Sequence, residues 1–141
     1  MADYYIKYIY GPRGQIYPDE ENLVHFAEGQ EKLCERFKNC SGFLLYETGG
    51  KQSKEGAMCI YAYGVVDLNQ SAFHSPTRAK DKSFPHAVKV HLQKRVDPLN
   101  GIPLSKIREI TGVKVMLYRG GLLSITKEQF DELRSELDKL A

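Results

Sequence analysis

The sequence predicts an α+β fold, a mixed and curved sheet or small barrel flanked by helices. Strand-like runs rich in aromatic and β-branched residues recur along the chain, whereas helical spacing of apolar residues appears in only a few places. The order of these segments also lacks the regular strand and helix alternation of a parallel sheet. At 141 residues, the chain has the size of one domain, which we expect to span 1–141.

Four segments in the first two-thirds of the chain are predicted to be strands. Residues 4–10 read YYIKYIY and stop at a Gly-Pro turn cluster, which is typical of a strand followed by a loop. The apolar run 42–47 and the longer run 58–66 predict a hairpin with a polar, basic tip between them. Residues 87–93 alternate between apolar and polar side chains, which predicts a strand with one exposed face.

The first helix is predicted over 22–37, where apolar residues recur at helical spacing. Gly29 is a weak point within it because glycine disfavours helices. The stretch 67–85 is polar and long for a structureless connection, which indicates a functional or mobile loop.

The last third of the chain predicts two helices with a strand between them. Pro103 opens a short helix that Gly112 terminates, and 113–117 returns to strand character. Thr126 and Gln129 form a capping box, which fixes the start of the last helix.

Composition excludes several classes of protein. The net charge is only +2, so any affinity for nucleic acid must come from local clusters of Lys and Arg. No apolar run approaches the length of a membrane span, and the N-terminus lacks the pattern of a secretory signal. The cysteines are odd in number, which favours a reducing cytoplasm over a disulfide framework. They are Cys34, Cys40 and Cys59.

Sites for catalysis, cofactors or metals are not visible. No phosphate-binding glycine loop occurs, and no histidine stands beside a cysteine in a recognisable nucleophile pattern. The four histidines are scattered and no C-x-x-C pair is present, so we expect neither a metal nor a cofactor. The cysteines are expected to be small buried hydrophobic residues.

Aromatic and basic residues are more informative. Nine Tyr and six Phe occur with no Trp, and many of the tyrosines lie on predicted strands. Their rings serve either as stacking platforms for bases or as core packing. Basic residues flank them and are expected either to contact phosphates or to confer solubility. These are Lys7, Arg13, Lys51, Lys54, Arg78, Lys80, Lys82 and Arg119.

Segments 63–66, 84–92, 101–107 and 119–130 resemble the EVE domain family. This family belongs to the PUA-like superfamily, which also contains the YTH readers of methylated adenine. The resemblance covers about two-thirds of the chain, from Met58 to the last helix. It implies a PUA-like (EVE/YTH-like) pseudo-barrel of mixed strands with peripheral helices.

The resemblance also implies a pocket for a modified base that is flipped out of DNA or RNA. Family members that are fused to AAA+ motors look like targeting modules of methyl-directed restriction systems of the Mcr type, so the resemblance also implies an AAA+ motor as a partner. The positions that match the family pocket are Tyr8, Tyr10, His25, Phe26, Tyr46 and Tyr61. The expected phosphate contacts are Arg13, Lys51, Lys54, Arg78, Lys82 and Arg119. Related pockets commonly use Trp, so Tyr and Phe replace it here or the ligand class differs.

Two other hypotheses stay open. The missing Trp favours a protein-interaction or assembly module that keeps the fold without the pocket. A weaker hypothesis is an enzyme that uses His25 or His91 with a cysteine.

Overall fold

A computed structural model describes residues 3–10, 23–26, 29–48, 58–67, 73–74, 78–79, 82–83, 86–112 and 122–140. The strands are β1 (Tyr4–Tyr10), β2 (Leu23–Phe26), β3 (Gly42–Thr48), β4 (Cys59–Val66), β5 (Phe73–His74), β6 (Arg78–Ala79), β7 (Lys82–Ser83), β8 (His86–Arg95), β9 (Ile102–Pro103) and β10 (Leu122–Ile125). The helices are α1 (Glu31–Lys38), α2 (Leu104–Thr111) and α3 (Lys127–Asp138), with a 3-10 turn at Pro98–Asn100.

The main sheet is mixed and runs in the order β10-β1-β3-β4-β8-β2. β1 pairs in parallel with β3 and antiparallel with β10, so the first strand lies inside the sheet. β3, β4 and β8 follow as antiparallel neighbours. β5 and β9 add short pairings to β8 and β4, and β6 pairs with β7 alone. The sheet forms a half-barrel with helices around it.

Helices cover both faces of the sheet. On the inner face, Phe37 of α1 packs against Phe43 of β3 and Phe26 of β2, with ring centroids 5.0 Å and 5.5 Å apart. On the outer face, Phe130 of α3 packs against Tyr4 of β1 at 4.7 Å. We use inner face for the α1 side and outer face for the α3 side.

Several predicted elements are confirmed. The strand at 4–10 and the strands of the predicted hairpin are present as β1, β3 and β4. β8 includes the alternating run 87–93, where Val88 and Val90 are buried while Lys89 and His91 are exposed.

The predicted helix at 22–37 is wrong in its first part. Residues 23–26 form β2, and the helix begins only at Glu31. β2 pairs antiparallel with the first half of β8, which buries Val24, His25 and Phe26 together. Gly29 adopts a φ of +87°, which no α-helix contains. Pairing with a distant strand therefore overrides the local helical spacing.

Other boundaries differ in smaller ways. The connection 67–85 contains the two-residue strands β5, β6 and β7 and is not wholly structureless. β9 and β10 were not predicted from sequence; both are short and pair with longer strands. The strand predicted at 113–117 lies outside the described residues.

The helix ends follow the sequence closely. Gly112 ends α2 with a left-handed φ of 73°, and its N–H donates to the carbonyl oxygen of Arg108 at 2.8 Å. At the start of α3, the Thr126 hydroxyl accepts from the Gln129 N–H at 3.1 Å. The Gln129 side chain accepts in return from the Thr126 N–H at 2.9 Å. The predicted capping box is confirmed.

The capping box gives a direct stability test. Thr126→Ala is expected to lower the free energy of unfolding by about 1 kcal/mol, because the Gln129 N–H loses the hydroxyl oxygen that accepts its hydrogen bond. Urea unfolding followed by circular dichroism measures the change. Ser135→Ala, at an exposed position inside α3, is the control and should change stability by less than about 0.5 kcal/mol. Equal effects of the two substitutions would contradict the prediction.

Candidate functional site

Two of the nominated pocket residues, Tyr8 and Tyr46, lie in direct contact. They are partners in the parallel pairing of β1 with β3, and their ring centroids are 5.6 Å apart. Tyr8 follows Lys7 in an extended strand and shares its face with Tyr4, so it points to the outer face. The exposed fractions are 6% for Tyr8 and 0% for Tyr46. This pair is packed inside the protein.

Phe26 lies on the other side of the sheet, together with Lys7. The Lys7 ammonium is 4.7 Å from the centroid of the Phe26 ring. Phe26 also contacts Phe37 of α1, which places this contact on the inner face. The structure therefore separates the nominated aromatic residues into an outer group with Tyr8 and Tyr46 and an inner group with Phe26.

Of the remaining nominated residues, two have described side chains and one has only a described backbone. His25 and Tyr61 are buried, with exposed fractions of 2% and 0%. The His25 Nδ1 and the hydroxyl oxygens of Tyr46 and Tyr61 are polar atoms with almost no exposure, so the interior is not purely apolar. The backbone of Tyr10 ends β1, while its side chain lies outside the described part of the molecule.

The nominated phosphate contacts fall mostly outside the described ranges. Arg13, Lys51, Lys54 and Arg119 belong to segments that the structure does not describe. Arg78 and Lys82 stand on the two short strands of one β-ribbon, where Arg78 pairs with Ser83 and Ala79 with Lys82. The ribbon therefore brings these two basic positions onto neighbouring strands.

Lys7 differs from the sequence expectation. The sequence places it among the basic residues that flank the aromatic residues and contact phosphates or solvent, but its side chain is only 5% exposed within β1. Its ammonium donates a hydrogen bond to the carbonyl oxygen of Tyr8 at 3.1 Å. Burial lowers the pKa of Lys7 from its ordinary 10.5 to about 8. The signal in the sequence is a single lysine within a seven-residue strand that is otherwise aromatic or aliphatic.

The cysteines are buried, as predicted. Burial raises the pKa of the Cys34 thiol to about 11 and that of Cys40 to about 12, and it also raises the pKa of Cys59. These thiols stay protonated at neutral pH, and a protonated thiol is a poor nucleophile. This disfavours the hypothesis of an enzyme with a cysteine nucleophile.

An open groove of about 360 Å³ lies between α2 and the end of α3. Lys106 stands in it 3.6 Å from a carboxylate oxygen of Glu109 and 3.8 Å from one of Glu136. None of the nominated pocket residues lines this groove. Over the described ranges, no three potential metal ligands cluster, and no helix is long and apolar enough to cross a membrane.

Comparison with known proteins identifies the fold. No protein-family model and no curated protein sequence matches the chain. The YTH domain-containing protein mmi1 in complex with RNA superposes with a TM-score of 0.62 at 12% identity, over 97% of this chain and 82% of that one. The Mmi1 YTH domain gives 0.63 at 11%, over 98% and 76%. A second RNA complex of the Mmi1 YTH domain gives 0.63 at 10%, over 98% and 79%.

At these identities the likeness shows the fold. The chain has a YTH-like α+β fold, in which a mixed half-barrel sheet is flanked by helices. The predicted PUA-like pseudo-barrel with peripheral helices is thereby confirmed.

Proposed function

We propose that the chain, as one domain over residues 1–141, is a non-catalytic module that binds nucleic acid and reads a modified, flipped base. The observation that carries this proposal is the fold, because almost the whole chain superposes on YTH domains and two of those structures are complexes with RNA. Reading a modified base requires a pocket that surrounds an extruded ring, and no covalent chemistry.

The finer form of the proposal rests on the segments that resemble EVE domains. Residues 101–107 and 119–130 carry that likeness. In this form, the chain is the targeting domain of a methyl-directed restriction system in the cytoplasm and acts with an AAA+ motor. The nucleic acid is then DNA with methylated bases, whereas a role like that of a YTH reader makes it RNA.

The inner face is the better location for the base. Phe26 lies there between β1, β2 and α1, with the Lys7 ammonium over its ring. Aromatic stacking and a hydrogen-bond donor are the two contacts that base recognition uses most. Tyr8 and Tyr46, which pack against each other on the outer face, would then support the pocket from behind.

Fluorescence anisotropy with labelled oligonucleotides tests the proposal. Single- and double-stranded DNA and RNA, with and without methylated cytosine or adenine, are titrated over a salt series. We expect binding that depends on the modification and weakens as salt rises, since phosphate contacts release counterions. Binding that ignores the modification would leave a basic surface without a reader pocket. The complete absence of binding at low salt would refute the proposal.

Phe26→Leu is expected to weaken binding of the preferred modified oligonucleotide by roughly tenfold, because a stacking surface is lost. The matched control is Phe37→Leu, which makes the same change at a ring that is also 0% exposed and contacts Phe26. Phe37 lies outside the nominated pocket, so its variant should lose stability and keep affinity. Equal losses of affinity would show that the effect is general destabilisation.

The alternative of a protein-interaction module has less support. A stable interface normally contains a contiguous apolar patch. Among the residues with described side chains, Leu99 is the one large hydrophobic residue that is exposed, at 80%. A single exposed leucine on the 3-10 turn does not form such a patch.

A further inference from the structure

Lys7 is a buried cation that lacks a counter-ion in the described part of the chain. Its exposed fraction is 5%, and its ammonium makes one hydrogen bond, to the Tyr8 carbonyl oxygen. Its other close partner is the face of the Phe26 ring. No carboxylate within the described ranges lies at ion-pair distance from it. An ammonium carries three donors, so two of them have no acceptor from these residues.

A buried ammonium without a counter-ion destabilises the folded protein. An ion that leaves water without a paired charge loses more hydration energy than one hydrogen bond and one ring contact return. The lowered pKa of Lys7 has the same origin. A methionine of similar length would fill the space without this loss. Among the described residues, the arrangement therefore leaves two ammonium donors for an acceptor on a bound ligand.

The position of the ammonium limits what the acceptor can be. A backbone phosphate is tied to the strand on both sides and stays near solvent, whereas Lys7 lies below the surface. A flipped base projects away from its backbone and can reach this depth. The ammonium stands over the face of the Phe26 ring, so a ligand that reaches it enters aromatic surroundings, which favours a planar ring.

We propose that Lys7 donates a hydrogen bond to a ring carbonyl oxygen of the bound base, so that the site accepts cytosine, uracil, thymine or guanine and rejects adenine. Adenine has no ring carbonyl, and its exocyclic group is a donor that would face the ammonium. This inference rests on the proposed function, because it assumes that a flipped base enters the inner face. It adds the class of base and the residue that selects it.

The experiment compares short single-stranded oligonucleotides that differ at one central position, which holds cytosine, uracil, guanine, adenine or an abasic site. The wild-type protein is expected to bind the carbonyl-bearing bases roughly ten- to hundredfold more tightly than adenine, the usual effect of a hydrogen bond to a charged group. Lys7→Met is expected to remove this preference by weakening binding of the carbonyl-bearing bases to the level of adenine.

Lys32→Met is the matched control. It makes the same change of side chain and charge on the exposed surface of α1, so the base preference should persist. Thermal unfolding of each variant measures whether it is folded, so that a loss of binding can be distinguished from a loss of fold.

Two results would overturn the inference and leave the proposed function intact. One is wild-type binding of adenine as tight as that of the other bases. The second is a Lys7→Met variant that keeps the preference. A wild-type protein that binds neither these oligonucleotides nor the methylated ones of the anisotropy titration would remove the proposed function, and this inference with it.

Discussion

Lys7→Met is expected to raise the free energy of unfolding at pH 7 by about 2 to 3 kcal/mol, because the folded protein no longer holds a desolvated ammonium. The folded pKa of Lys7, about 8, lies below its ordinary value of 10.5. This difference in pKa corresponds to roughly 3 kcal/mol of destabilisation in the wild-type protein. The Lys7→Met variant loses the ring contact and the hydrogen bond of the ammonium, which offsets part of its gain in stability.

The stability gained by Lys7→Met is expected to decrease as the pH rises. Below pH 8, Lys7 is charged in both the folded and the unfolded wild-type protein, and the full destabilisation is present. Between pH 8 and 10.5, the folded protein releases its proton before the unfolded chain does. The unfolded chain then binds more protons, so wild-type stability rises with pH. The advantage of Lys7→Met should therefore shrink across this range.

Urea unfolding of both proteins at pH 7 and pH 10 measures the difference. Burial raises the pKa of Cys34 to about 11, so Cys34 lowers the stability of both proteins in the alkaline range. Because Lys7 acts to lower the pKa of Cys34, this loss is larger in Lys7→Met, which shrinks its advantage in the same direction. An advantage of Lys7→Met that stays constant with pH would mean that it comes from packing and not from charge.

Gly64→Ala is expected to destabilise the protein by about 3 kcal/mol, the upper range for overpacking a closely packed site. A methyl group on Gly64 would overlap the carbonyl oxygen of His91 and lie 3.0 Å from the Cα of Leu92. These are backbone atoms of β8, next to the point where the register of β4 and β8 shifts. They cannot move away without separating the two strands.

Gly42→Ala is the comparison for this substitution. A methyl group there would lie 2.8 Å from Cζ of Phe130, the tip of a side chain that can rotate or shift. We therefore expect a loss of about 1 kcal/mol. Thermal and urea unfolding of the two variants give the ranking, and a Gly42→Ala variant that is the less stable of the two would contradict it.

The sequence predicts the elements whose signals are local. β1 and β8 carry aromatic and alternating patterns, and the start of α3 depends on a capping box only four residues long. β2 could not be predicted in this way, because the spacing of its apolar residues also fits a helix. Its pairing with β8 makes it a strand. Short strands such as β10 have too few residues to show a period, and their partners specify them.

The candidate site was predictable to a smaller extent. Resemblance to a family nominated Phe26 and Tyr46, but the face of the sheet on which each lies follows from strand register, which a single sequence does not reveal. Lys7 was missed as a buried residue, since lysine side chains are seldom fully buried in folded proteins. Its burial depends on α1 and β2 covering the inner face.

The position of β1 inside the sheet also sets an order of events during synthesis. β1 leaves the ribosome before both of its neighbours, β3 and β10, and the partner of Tyr4 on β10 is Ile125, far along the sequence. Pairing over so long a stretch of chain is slow, since closing the loop costs entropy before the pairing contacts compensate for it. The emerging strand, YYIKYIY, is strongly β-prone and carries one charge. Until β10 arrives, one edge of this strand is therefore open to self-association, and Lys7 is the residue that opposes it.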